Sequence, residues 1–500
     1  MESNSAPSSK LYRVALSFCG VSALLTIIWP KEIAGLTRTA TGFVFETFGW
    51  FFLVSVSAFL ALCIWLAFSR HGRTRLGDPD SKPEFSTVSW LSMLFAAGMG
   101  TGLVVWGTAE PMYHLLKPPS GTPGSLEAAS QAFLITNFHW GIHAWAIYGI
   151  GALVLGYFSF VRGGAYLPST PIRLGFKGAW TGGVGTAADL LAIFAVTFGV
   201  AGSIAMGTLL VHSGLHSVFG VPMDSLGVDL AILSVLFLSY MASATTGLEK
   251  GIRILSNVNM FVAVILIFVL LALGPTWDLT VGFFSNLFEY GASLIPLSIT
   301  VTPFDASPQW IGDWTLIYFV WWIAWTPFVG IFIARISRGR TIREFVIGVL
   351  VCPTVFSIFW FSVLGGIGTH LQLSGARDFT QPLKDDILGL VYPVLESLPM
   401  GTLLGSVATV LVFIFLVTSV DSATFVLGML TSDGDLNPGT DRKLAWGVVL
   451  GLLGGAFSLA KDADVIKVLT IAGAVPFLVI LLVQLVAFLK ALREDEPQQE

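Results

Sequence analysis

The sequence predicts an all-α integral membrane protein with twelve transmembrane helices, and three observations carry that expectation. Only 11% of its 500 residues are charged, where a soluble domain carries about a quarter. Mean hydropathy is +0.80. Runs of about 20 mostly apolar residues, the length that crosses a bilayer, recur from one end to the other. Lipid must therefore solvate most of the surface. The net charge of −5, without a long basic or acidic block, gives no footprint for nucleic acid. Cys19, Cys63 and Cys352 all fall in apolar runs without metal-site spacing, so they read as small buried residues.

Residues 1–10 form a polar N-terminal tail. The apolar run Leu11–Pro30 has no small-residue cleavage site behind it and reads as a first span, not a leader. The expected spans lie near 11–30, 47–69, 86–109, 130–161, 184–212, 227–247, 252–274, 313–337, 344–368, 399–430, 443–460 and 465–490. Residues 277–300, with Trp277, Phe283, Phe284, Leu287 and Phe288, are too polar to span and predict a helix lying in the membrane interface. A charged tail, 491–500, closes the chain.

Loops after even-numbered spans are basic: Arg70, Arg73 and Arg75; Arg162, Arg173 and Lys177; Lys250 and Arg253; Arg335, Arg338, Arg340 and Arg343. The others are acidic or mixed, as at Asp305 and Asp313 or Asp385 and Asp386. The excess of Lys and Arg on one side predicts that both termini are cytoplasmic.

The third span contains Gly98-Met99-Gly100-Thr101-Gly102. Three glycines in five residues weaken a helix and bare its backbone. In lipid that is tolerated where backbone lines a cavity or where helices pack closely on small residues; composition does not choose between these.

Sixteen tryptophans are present, and most suit interfacial belts. Two clusters lie mid-span instead. The fourth span carries Trp140, Trp145 and Tyr148; at about 100° per residue, Trp140, Tyr148 and Trp145 fall at roughly 0°, 80° and 140°, an arc on one face. The eighth carries Trp321, Trp322 and Trp325 after Trp314 and Tyr318. Two facing arcs make a box of negative ring faces, suited to a cation that donates no hydrogen bonds. Each ring then contributes on the order of 2 kcal/mol when desolvated. Ordinary core packing is the competing reading.

In the tenth span, Thr418-Ser419-Val420-Asp421-Ser422 offers hard oxygen ligands for a small cation such as sodium. The alternative is that the hydroxyls bond back to their own helix. Asp421, and Asp189 in the fifth span, are functional candidates because an intramembrane acid is costly; either could instead cap a helix end. His139 and His143 are four apart, but Trp140 stands where a zincin motif has Glu, and no third ligand is visible in the sequence. A proton-relay role suits His139 better. No P-loop, nucleophile elbow or dinucleotide fingerprint sits in a fitting context, and no nucleophile–base pair suggests an enzyme.

The glycine stretch at 98–102, the motif from His139 to Tyr148, the block from Trp314 to Phe345, the run Gly247–Arg253 and the run Thr418–Gly428 together resemble the betaine/carnitine/choline transporter family over nearly the whole chain. The resemblance implies a LeuT-like core. Its two inverted five-helix repeats are spans 3–7 (residues 81–275) and spans 8–12 (311–490), preceded by two peripheral spans (11–80) and joined by the interfacial segment 276–310. It implies a homotrimer in a bacterial inner membrane. Trp140, Trp145, Tyr148 and Trp322 would form the central box, and Trp321 and Trp325 would line the path. Backbone near Met99 and Gly100 would meet a substrate carboxylate. Ala96, Met99 and Phe415, through carbonyls, and Thr418 and Ser419, through hydroxyls, match a sodium site. Sodium is the implied coupling ion, and no other cofactor is implied. Val196 and Val200 stand where some members carry threonines for a second sodium, so a two-sodium stoichiometry is not supported. The ion-independent exchangers lack the glycine stretch and the Thr-Ser pair, both kept here. The short tail argues against strong tail-mediated osmotic activation.

The function expected is secondary active uptake of a quaternary-ammonium or other onium osmolyte: glycine betaine, choline, carnitine or dimethylsulfoniopropionate. Sodium symport is preferred to proton coupling or exchange, and transport to a substrate-gated sensor or channel.

Overall fold

The computed structural model describes residues 6–98, 100–246 and 249–495. Gly247 and Leu248 of the motif quoted above, and Met99, lie outside the described residues. The elements in chain order are α1 (Ala6–Ile28), α2 (Pro30–Phe68), α3 (Thr87–Gly98), α4 (Thr101–Leu116), α5 (Leu126–Trp140), α6 (Ile142–Phe160), α7 (Thr170–Gly175), α8 (Trp180–Phe219), α9 (Leu226–Thr246), α10 (Glu249–Leu273) and α11 (Thr276–Ile299). They continue with α12 (Pro308–Ile311), α13 (Ile317–Ile336), α14 (Ile342–Leu373), α15 (Thr380–Asp385), α16 (Val391–Glu396), α17 (Gly401–Leu430), α18 (Thr440–Ser458), α19 (Ala463–Ile471) and α20 (Phe477–Glu494). The described residues form no β-sheet, only an isolated bridge between Arg75 and Thr341.

Eight helical stretches among the described residues are long and apolar enough to cross a membrane. Several expected spans are not continuous. The third divides into α3 and α4 within its glycine stretch. The fourth divides into α5 and α6 at Gly141, where a Cβ would lie 2.6 Å from the Tyr290 hydroxyl. The last divides into α19 and α20. Between α12 and α13, Gly312–Leu316 forms a π-helical turn; the extra residue in such a turn re-aims side chains and favours functional sites.

α2 is longer than the expected 47–69 because its polar first half is helical too. Pro30 opens it, where a missing N–H costs nothing, and the Thr37, Thr39 and Thr41 hydroxyls bond back to carbonyls four residues earlier. α14 starts at a capping box: Glu344 N donates to Thr341 Oγ1 (3.2 Å) and Thr341 N to Glu344 Oε2 (3.0 Å). The expected interfacial helix is α11, turned by 117° from the preceding Asn257–Leu273 segment. Trp277, Phe284, Phe288 and Ile299 are exposed along it.

The core is built on the pairs α6–α13 and α8–α17, with α4 and α5 against α14. Two basic loops meet at one end of the bundle. Arg75 donates to the Gly339 carbonyl (2.7 Å) and Arg343 to that of Ala67 (2.6 Å). The third described basic loop contacts the end of α20, through Arg162 Nε and Asp495 Oδ2 (2.8 Å).

Candidate functional site

Where the broken helices meet, a recess of about 690 Å³, measured to its open side, separates α4, α5 and α6 from α8, α13 and α17. Each wall follows from a local sequence feature. Gly100, Thr101 and Gly102 present the start of α4. A Cβ on Gly102 would lie 3.0 Å from the Trp140 ring, so glycine there allows the indole to lie against bare backbone. Gly199 plays the same part for Trp325, whose ring would be 3.3 Å from an added Cβ.

Trp140, Tyr148 and Trp322 form the aromatic corner. Trp140 and Trp322 meet edge to face, with centroids 5.0 Å apart and planes at 81°; Tyr148 and Trp322 do the same at 5.6 Å and 83°. Perpendicular packing suits ring quadrupoles and builds adjoining walls rather than a stack. Tyr318 adds a further ring, 5.6 Å from Trp140, and Trp321 stacks on Tyr318 at 14°. Trp325, Val200, Ser203, Leu416, Ser419 and Val420 complete the lining.

The break at Gly141 has a second effect. It removes the regular helical acceptor role of the His139 carbonyl, and Trp322 Nε1 donates to that oxygen at 2.8 Å. Trp140 Nε1 donates to Glu110 Oε2 at 2.7 Å. Both indole N–H groups are thereby committed to protein partners.

The sequence candidates divide clearly by position. Trp140, Tyr148, Trp321, Trp322, Trp325, Gly100 and Ser419 line the recess. Trp145 does not; it is buried behind Tyr148, 5.7 Å away and edge to face. Thr418 Oγ1 donates to its own helix at Ile414 O (3.0 Å) and Phe415 O (3.2 Å). Met99 is outside the described residues, and of Ala96 only its place in the last turn of α3 is described. Asp421 is buried away from the recess, facing Ser243 and Lys443. Asp189, on α8, accepts from Ser169 N (2.9 Å), the residue that precedes α7.

His139 belongs to a cluster that the sequence did not reveal. Its Nδ1 is 2.6 Å from Glu110 Oε1 and its Nε2 2.9 Å from Thr315 Oγ1 in the π-helical turn. His114 Nε2 is 3.8 Å from Glu110 Oε1. His143 instead turns to Ser298 on α11 (2.9 Å). Glu110, His114 and His139 bring ligand atoms within 4.8 Å of one another, a set that could hold a metal. Both nitrogens of His139 and both oxygens of Glu110 already have partners, however, and the Lys467 ammonium lies close by, over the Trp106 (4.6 Å) and Trp314 (4.2 Å) rings. The cluster therefore reads as a hydrogen-bond network. The sequence signal for it is Glu110 itself, an acid just beyond the expected end of the third span at 109.

An all-helical, many-span membrane protein with an aromatic recess among broken helices has the form of a small-solute transporter. The chain belongs to the betaine/carnitine/choline transporter family: the model of the betaine/carnitine/choline family transporter matches residues 10–497. It is 38% identical to the "Glycine betaine transporter OpuD" of Bacillus subtilis over 97% of this chain and 95% of that protein. It is 37% identical to the "Ectoine/hydroxyectoine transporter" of Virgibacillus pantothenticus, covering 94% of each. A "Probable glycine betaine transporter" of Desulfitobacterium hafniense is 35% identical over 98% of this chain and 99% of its own length. Its family and these relatives are transporters, not enzymes.

Proposed function

We propose that this protein is a secondary active transporter that takes up an onium osmolyte, glycine betaine first among them, by sodium symport. The observation that carries the reading is the perpendicular corner of Trp140, Trp322 and Tyr148 beside the glycine break of α4. A methylated ammonium head fits ring faces, and bare backbone N–H groups near Gly100 suit a carboxylate. Trp321 and Trp325 line the route beside the corner. Relatives named for glycine betaine support the same cargo.

Sodium would bind between α3 and α17, at the carbonyls of Ala96, Met99 and Phe415 and the hydroxyls of Thr418 and Ser419. A hydroxyl that donates its proton to a carbonyl keeps its lone pairs, so the α17 bonds of Thr418 leave it able to ligate a cation. Binding there would tie the α3–α4 break to α17 and order the recess.

In this reading the chain crosses a bacterial inner membrane twelve times with both termini in the cytoplasm. Residues 81–275 and 311–490 are inverted repeats that rock about the site, and three copies assemble. The meeting of two basic loops at one end of the bundle, with Arg338 of one lying over Phe160 at the start of a third, supports that orientation. Ectoine is the second reading for the cargo, favoured by the Virgibacillus relative.

The test is uptake into proteoliposomes of labelled glycine betaine, choline, carnitine, dimethylsulfoniopropionate and ectoine, each with an inward sodium gradient, a proton gradient or neither. Accumulation of an onium compound only with sodium supports the proposal. Accumulation with protons alone sinks the sodium assignment, and transport of ectoine alone sinks the onium assignment.

A further inference from the structure

Glu110 is fully buried, yet nothing in an onium box as such requires it. A buried carboxylate is costly unless its oxygens are well paired. Here Oε2 accepts from Trp140 Nε1 at 2.7 Å and Oε1 from His139 Nδ1 at 2.6 Å. One tautomer satisfies the whole chain: His139 donates from Nδ1, and its Nε2 accepts from the Thr315 hydroxyl at 2.9 Å. In that arrangement both carboxylate oxygens of Glu110 act as acceptors, as an ionised carboxylate does. Lys467, the nearby cation, is paired with Asp464 at 3.2 Å. Glu110 therefore stands at the edge of one recess wall, joined to it by the hydrogen bond from Trp140.

Two consequences follow from elementary electrostatics. A charge-assisted hydrogen bond is short and directional, so it fixes the rotation of the indole against Gly102. A carboxylate accepting the indole N–H also pushes electron density into the ring, which makes its face more negative. Both favour a positive head at Trp140 over an uncharged head of the same shape.

We propose that Glu110 is a positioning and specificity-determining residue of the cargo site: through Trp140 it makes the recess discriminate a cationic head from its neutral isostere. The inference rests on the onium reading above. Glu110 touches no cargo itself and acts through the ring.

The test uses two ligands that differ at one atom. Glycine betaine carries a trimethylammonium head, and tert-butylacetate has carbon in place of the nitrogen and the same carboxylate. Binding of each to purified full-length protein is measured by calorimetry, in wild type, Glu110→Gln, Trp140→Phe and the double variant. Gln can still accept from the indole but carries no charge. The expected result is that Glu110→Gln lowers the betaine-to-isostere affinity ratio by on the order of ten-fold, mainly through weaker betaine binding. In the Trp140→Phe background the same change should alter the ratio less than about two-fold, because the hydrogen bond that transmits it is gone. Equal losses for both ligands would make Glu110 merely structural and overturn the proposal. A full effect of Glu110→Gln in the Trp140→Phe background would overturn the route through the ring. If Glu110→Gln does not fold, Trp140→Phe alone decides: it retains a ring and lacks the N–H, and an unchanged ratio refutes the proposal. Failure of wild type to bind betaine at all would instead refute the cargo reading.

Discussion

Trp140 and Trp322 stand edge to face, 5.0 Å apart at 81°, and the indole N–H of each is held by a hydrogen bond to another helix. Trp322 is anchored on the carbonyl of His139, next to Trp140 in sequence; Trp140 is anchored on Glu110. The corner is therefore a linked unit rather than two independent rings.

Trp322→Ala should raise the KM for the transported cation about ten-fold or more, and Trp322→Phe should have a smaller effect, since a ring face survives. Initial rates of uptake in proteoliposomes, with protein amount and orientation matched, measure both. Equal KM values for the alanine variant and wild type would place the cation elsewhere.

Gly102→Ala should impair uptake while leaving the protein folded. Its Cβ would press the Trp140 ring at 3.0 Å, tilting a recess wall. Gly182→Ala is the control, because nothing lies within 4 Å of its added Cβ. Size-exclusion profiles should match for both, with only Gly102→Ala raising KM.

Ser419→Ala and Thr418→Ala should shift the sodium concentration for half-maximal uptake upward, by about ten-fold if each removes one ligand. Cargo affinity at saturating sodium should change much less. A sodium titration of uptake at fixed cargo separates the two effects, and an unchanged sodium curve for both variants would remove the ion from α17.

Tyr290→Phe should destabilise the protein by about 1–3 kcal/mol, the cost of leaving a buried donor unpaired. The phenol oxygen accepts from Ile142 N at 2.9 Å, the N–H freed by the break at Gly141. A lower unfolding temperature in detergent, together with weaker cargo binding, is the expected signature. A loss of stability without any change in binding would separate the break from the site.

The sequence made the architecture legible wherever one span remained one helix. The eighth is the clearest case: the periodicity of Tyr318, Trp321, Trp322 and Trp325 survives in α13, and all four reach the recess. The fourth shows where such counting fails. Turning about 100° per residue from Trp140 puts Trp145 on the arc, but that count assumes a helix unbroken through Gly141. With the axis interrupted there, Trp145 packs behind Tyr148. Asp189 looked like an intramembrane acid and serves α7, a six-residue helix too short to produce a periodic signal. The Glu110–His139 contact joins residues 29 apart on separate helices, and no spacing rule connects them.

α11 lies along the flank of the bundle with Trp277, Phe284 and Phe288 exposed, while Tyr290 of the same helix holds the first N–H beyond Gly141. Ser298, further along, holds His143. One rigid rod thus has an oily outer edge and two fingers on the joint that aims Trp140. A displacement of α11 would therefore be felt at the recess without anything entering it, through one tyrosine and one serine hydroxyl.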